Sequence, residues 1–213
     1  MRALFVKDKE WEEVIKHQNP RELLNAQIQY WNQADLGLVG PVSEEIMGKI
    51  LLDLLGEEAR VKRTLDFGCG TGRLYRAFGF KNYVGVDIST TYLKEFQRQN
   101  PEATRVLVKE LSLPFLDAEF DLIMCYSVFT HLKPTQQKII MKEFSRVLKE
   151  KGQLAVSIFE REVIREPKFN WELTSFPEFV GITEKENLKI CSSVKVPERG
   201  KYYQTLLLLE KKS

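Results

Sequence analysis

Three glycines at alternate positions, Gly68, Gly70 and Gly72, follow the run Thr64-Leu65-Asp66-Phe67 and lead into Arg73-Leu74. Glycine at this spacing lets backbone approach a ligand closely, and it supplies the unusual φ values of a tight strand-to-helix turn. A plain structural turn would look the same. Asp87 adds a second signal, because it ends the run Tyr83-Val84-Gly85-Val86-Asp87. A carboxylate at a strand tip can accept hydrogen bonds from both hydroxyls of a ribose. Its alternative role is an acid at a helix N-terminus, with Ser89 as the cap. Loop and acid together, on adjacent strand ends, describe a nucleotide site of an open α/β sheet. The spacing is G-x-G-x-G, whereas the dinucleotide fingerprint is G-x-G-x-x-G. Asp66, beside the loop, would repel a pyrophosphate but can hold an ammonium. S-adenosylmethionine carries an ammonium and a sulfonium and no phosphate, so the electrostatics favour it over NAD. A nicotinamide-dependent oxidoreductase is the weaker reading.

The elements that must position these residues follow from the apolar pattern. Strands are expected over 63–67, 83–87, 105–108, 120–126 and 154–159, and helices over 72–78, 90–99 and 134–149, the last stopped by Gly152. Residues 10–33 read as helical with a break at Asn19-Pro20, and Ser43 caps a further helix carrying Ile46, Met47, Ile50, Leu51, Leu54 and Leu55. Alternation of strand and helix implies a mainly parallel sheet with helices on both faces. The runs 188–196 and 202–209 are separated by only Pro197-Glu198-Arg199-Gly200-Lys201, too short for a helix, so they form an antiparallel hairpin. The fold class is therefore α/β, a doubly wound, mainly parallel seven-stranded sheet with a C-terminal antiparallel β-hairpin.

Composition narrows the partners. The 213 residues hold 32 Lys+Arg against 30 Asp+Glu, a net charge of +2, which gives no global attraction to nucleic acid or to an anionic membrane. No apolar run approaches the roughly 20 residues that span a bilayer. Cys69, Cys125 and Cys191 are odd in number, widely spaced and free of any C-x-x-C pair, and His17 and His131 are the only imidazoles. A disulfide framework and a zinc or other metal site are disfavoured, and a reducing cytoplasm is the expected compartment.

Residues 64–159 resemble the core of the class I S-adenosylmethionine-dependent methyltransferases. The resemblance rests on Leu65-Asp66-Phe67-Gly68-Cys69-Gly70-Thr71-Gly72, Val86-Asp87, Leu113-Pro114-Phe115, Phe120-Asp121-Leu122-Ile123, Val128-Phe129-Thr130-His131-Leu132 and Arg146-Val147-Leu148-Lys149, in that order. It implies one methyltransferase domain over 1–213: an N-terminal helical lid (1–40), a cofactor-binding core (41–160), and an acceptor-side insertion with the terminal hairpin (161–213). It also implies that Asp66, Gly68 and Gly70 border the methionyl end of the donor, that Cys69 and Gly72 belong to the cofactor site with them, that Asp87 holds the ribose, and that Ile88 packs on the adenine. Tyr126 and Ser127 would sit by the methionine and sulfonium, and Tyr30 would close over them. Adenine contact after the third strand falls to Glu110 and Leu111. Counting back from Leu113-Pro114-Phe115, however, places Lys109 where the family's acid is commonest.

The acceptor is less legible. Methyl transfer is an in-line displacement in which the protein chiefly aligns nucleophile, methyl carbon and sulfur. His131 is the titratable group suited to act as a general base, unless it merely caps the turn before Pro134. Trp31, Phe169 and Trp171, with Phe176 and Phe179, could enclose a small acceptor or simply cover helices. Asn-Pro-Pro-Tyr after the fourth strand, the carboxylates of metal-dependent catechol methylation and the acids of aminopropyl transfer are all missing. The expected function is methylation of an O or N nucleophile of a small molecule, yielding S-adenosylhomocysteine without a metal. The alternatives are an RNA or protein methyltransferase and a non-catalytic S-adenosylmethionine-binding sensor or partner protein.

Overall fold

A computed structural model of the chain describes residues 13–14, 16–17, 19–33, 42–159, 174–197 and 203–213. Helix α1 (Pro20–Gln33) starts where the sequence breaks, because Asn19 Oδ1 accepts from the amides of Arg21 and Glu22 at 2.9 and 3.4 Å. Helix α2 (Glu44–Leu55) is capped by Ser43, which accepts from the Ile46 amide. There follow β1 (Arg63–Phe67), α3 (Arg73–Phe78), β2 (Asn82–Asp87), α4 (Thr90–Gln99), β3 (Thr104–Leu107), β4 (Phe120–Cys125) and α5 (Pro134–Val147). The chain then forms β5 (Leu148–Ile158), α6 (Phe176–Lys185), β6 (Leu188–Pro197) and β7 (Tyr203–Lys211).

The seven strands order as β3-β2-β1-β4-β5-β7-β6. β1 pairs in parallel with β2 and β4, β2 with β3 and β4 with β5, while β7 runs antiparallel between β5 and β6. From β1 the chain steps outward to β2 and β3, then returns to β4 on the other side. The carboxyl ends of β1 and β4 therefore flank a topological switch point, where open α/β sheets bind ligands.

Alternation along each strand divides the core. Leu65, Phe67, Val84, Val86, Ile123, Cys125, Leu154 and Val156 pack with Ile140 and Phe144 of α5 and Phe179 of α6. On the opposite face Tyr83, Leu122, Met124 and Ala155 pack with α2, α3 and α4 through Met47, Leu51, Phe78 and Phe96.

Two expectations are corrected. Gly152 does not stop α5: the helix ends at Val147, the Leu148 amide bonding Phe144 O, and the chain enters β5 at once. Gly152 lies inside β5, where a Cβ would come within 2.8 Å of Lys149 O and of Leu148 Cγ, next to Lys151 at φ 59. Phe176 and Phe179 belong to α6, an element not expected from the sequence. Phe179 is fully buried against Phe129 in the core and so encloses no acceptor.

Candidate functional site

The loop after β1 takes its shape from hydrogen bonds to β2. The amides of Gly68 and Cys69 donate to Val86 O at 2.8 and 3.0 Å, and the Gly72 amide turns back to Cys69 O at 2.9 Å. All three glycines have positive φ (75°, 54° and 85°), a region that L side chains avoid, but their surroundings differ. A Cβ on Gly68 would lie 2.1 Å from Val128 Cγ2, and one on Gly72 would lie 2.7 Å from Asn100 Nδ2 and from Phe96 Cε2. Those two positions are closed by packing. A Cβ on Gly70 would meet nothing within 4 Å, so Gly70 alone of the three faces open space.

That space belongs to a cavity of about 630 Å³ at the switch point. Of the residues singled out in the sequence, Asp66, Gly68, Cys69, Gly70, Asp87, Ile88, Glu110, Leu111, Tyr126, Ser127, Trp31 and His131 line it. Gly72, the N-cap of α3, and Tyr30 do not. Of the two alternatives after β3, Glu110 lines the cavity and Lys109 does not. Phe169 and Trp171 fall outside the described residues.

Two of the lining carboxylates are buried, beside the charged Arg73, Arg76, Glu44, Glu95 and Glu110 of the same cavity. Asp87 Oδ2 accepts from the Gly70 amide at 2.9 Å and Oδ1 from the Ser89 amide at 2.8 Å. Burial raises its carboxyl above the usual range, and the bonds from Ser89 and Gly70 oppose that rise. Asp87 thus fixes the loop as well as facing the cavity, and Ser89 is the cap of α4, accepting from the Tyr92 amide. Asp66 is pushed up to about 7 by burial, against the hydrogen bond from Tyr83, with the Asp87 charge a smaller push in the same upward direction. Among the described residues no group of three or more His, Cys, Asp or Glu side chains is placed to hold a metal ion.

Helix α1 roofs the cavity and is tied down on both sides. Asn32 Oδ1 accepts from the Thr90 amide at 2.8 Å, its carbonyl accepts from Thr91 Oγ1 at 2.8 Å, and Ser89 Oγ donates to Trp31 O at 3.0 Å. On the other side Gln27 Nε2 donates to His131 O at 2.9 Å, and Gln136 Nε2 donates to Gln27 Oε1 at 2.9 Å. The Trp31 ring lies edge-on to His131 at 5.1 Å. Burial lowers the His131 imidazole to about 4, so it is neutral at pH 7. An imidazole whose protonated form is so acidic is a weak proton acceptor, since the best general base titrates near the working pH.

A stability measurement checks that state. Unfolded His131 binds a proton near 6.5 and the folded protein only near 4, so the unfolded chain holds more protons within that window. The contribution of His131 is therefore complete above pH 6.5 and is lost as pH falls towards 4. His131→Phe, which keeps a ring against Trp31, is expected to flatten the rise of unfolding free energy between those pH values in denaturant titrations. An unaltered slope would show that the imidazole is not held neutral.

Several lining residues carry no signal in the sequence. Gln27, Val108, Thr130 and Gln204 all face the cavity. Gln204 comes from β7 and donates to Ser127 Oγ at 2.5 Å, while accepting from Ser157 Oγ at 2.7 Å, which in turn accepts from the Ser127 amide at 2.8 Å. This network surrounds Ser127 at φ 58, at the end of β4. Only strand order brings residue 204 beside residue 127.

Comparison with known proteins gives the segment a likeness in kind. Residues 65–156 match the family model described as a methyltransferase domain. This segment is similar to methyltransferase domains. The chain is 35% identical over 107 residues to an uncharacterized protein of Methanocaldococcus jannaschii, covering 50% of this chain and 45% of that one. It is 33% identical over 98 residues to the human "Probable tRNA methyltransferase 9B", covering 46% of this chain and 21% of the relative. The chain thus spans less than half the length of these curated relatives. Among solved structures, geranyl diphosphate C-methyltransferase of Streptomyces coelicolor, in complex with S-adenosyl-L-homocysteine, superposes with a TM-score of 0.69. That likeness covers 91% of this chain and 99% of that one at 17% identity, so it speaks for the methyltransferase fold alone.

Proposed function

We propose that this chain transfers the methyl group of S-adenosylmethionine to an O or N nucleophile of a small molecule by in-line displacement. The observation that carries the proposal is the glycine loop with Asp66 and Asp87 at the floor of a roofed cavity of about 630 Å³, within the 300–1,000 Å³ usual for small-molecule sites. In this reading Asp87 accepts from the ribose hydroxyls, and Ile88, Val108 and Leu111 bound the adenine, with Glu110 at the rim. Asp66, Gly68, Cys69 and Gly70 take the amino-acid end. Tyr126 and Ser127 lie by the sulfonium, which supplies the leaving group. Trp31 and His131 border the acceptor, and the protein's part is alignment and exclusion of water. The two buried cysteines fit a reducing compartment, and no helix among the described residues is long and apolar enough to cross a membrane.

A second reading, methylation of RNA, is favoured by the likeness to a relative named as a tRNA methyltransferase. Against it stand the near-neutral charge and the roof that α1 forms. The test is calorimetric titration with S-adenosylhomocysteine, NAD and NADP, followed by methyl transfer from labelled S-adenosylmethionine to small-molecule and tRNA pools. Micromolar binding of the first ligand alone, with label entering small molecules, is the expected outcome. Label in tRNA would replace the acceptor class, and binding without any transfer would favour a sensor.

A further inference from the structure

Tyr83 does not line the cavity, yet it is the hydrogen-bond partner of the buried acid at the cavity floor. In the register of β1 and β2, Asp66 stands opposite Gly85 and Thr64 opposite Tyr83. Tyr83 and Gly85 are two residues apart on one strand and so share a face of the sheet. The Tyr83 hydroxyl crosses to the neighbouring strand and donates to Asp66 Oδ2 at 2.6 Å. Gly85 leaves the room for it: a Cβ there would come within 3.1 Å of Tyr83 Cε1 and 2.8 Å of Cys69 Sγ.

The ring that carries this hydroxyl is fixed. It is stacked on Phe96 at 6.2 Å and 8°, with Tyr75 at 4.9 Å and Phe80 at 5.8 Å, and it is 5% exposed. Asp66 is itself 1% exposed and lines the cavity. The titratable groups that act with it are Tyr83 and Asp87 of β2, Cys69 of the loop and Cys125 of β4, and none of them is a cation. A buried carboxylate with one oxygen held by a phenol and no cationic partner among the described residues is a receptor for a positive charge brought from outside.

We propose, resting on the donor reading above, that Tyr83 is a positioning residue for the amino-acid end of the donor. Its hydroxyl fixes Oδ2 of Asp66 so that Oδ1 receives the ligand ammonium. The ammonium keeps its protons, and near neutral pH the carboxyl gives up its own to solvent as the pair forms. Binding near pH 7 therefore releases protons, and only for ligands that bear the ammonium.

The experiment compares S-adenosylhomocysteine with 5′-methylthioadenosine, which keeps the adenosine and thioether but lacks the amino-acid end. Tyr83→Phe keeps the aromatic stack and removes the hydroxyl. It is expected to weaken S-adenosylhomocysteine about tenfold at pH 7, the equivalent of one pKa unit at Asp66. Binding of 5′-methylthioadenosine should stay within about twofold, well under that unit. Proton release, read by calorimetry in buffers of different ionisation enthalpy, should move to higher pH in the variant. Asp66→Asn should give the same selective loss, and adding Tyr83→Phe to it should cost nothing further, because the two act as one unit. Equal weakening of both ligands would make Tyr83 a packing residue and overturn the proposal, as would no weakening at all. Failure of the wild-type protein to bind either ligand would instead remove the donor reading, and this inference with it.

Discussion

Gly70→Val is expected to abolish S-adenosylhomocysteine binding while the domain stays folded. A side chain at this position enters open space, not neighbouring atoms, so the folded protein tolerates its volume and a ligand in the cavity would not. The cost to the fold is confined to backbone strain: a β-branched residue at φ 54 is disfavoured by about 1–3 kcal/mol. The loss of affinity should exceed about 100-fold, more than about 2.8 kcal/mol, because the ligand must either be displaced or force the loop open. Calorimetry on the variant, with its melting curve measured beside it, separates the two effects. Retained micromolar affinity in a folded protein would mean that the loop is only a turn. The contrast with Gly68 is instructive, since there the clash would be with Val128 and the fold itself would suffer.

Asp87→Ala should weaken the same ligand by about 1–3 kcal/mol, the range for losing hydrogen bonds to a charged acceptor, or roughly 5- to 150-fold. Part of that effect is indirect, because the carboxylate also holds the Gly70 and Ser89 amides. A 2′-deoxyribose analogue of S-adenosylhomocysteine resolves the parts. If Asp87 accepts from the ribose, removing the hydroxyl should cost the wild-type protein several-fold and the Asp87→Ala protein little, a non-additive cycle. Additive losses would show that Asp87 serves the loop and not the sugar.

Much of this architecture is readable in residue order because the signals are local. Apolar alternation, the Asn19 and Ser43 caps and the short span between β6 and β7 each act over a few residues, and they place the strands, helices and hairpin near their observed limits. The glycine loop and Asp87 are legible for the same reason, since loop and acid end adjacent strands of a βαβ unit. Helix α6 was not legible, and Gly152 misled, because its role inside β5 is set by close packing on Lys149 O and Leu148.

What the sequence by itself determined is the fold class, the order of the elements and the location of the cleft, all consequences of chain order and local preference. Tertiary structure alone decided which atoms share that cleft. It set Gln204 beside Ser127, laid α1 across the opening, gave the three glycines different surroundings and joined Tyr83 to Asp66. Each depends on register and packing between residues distant in the chain, and those are fixed only when the strands pair and the side chains close around them.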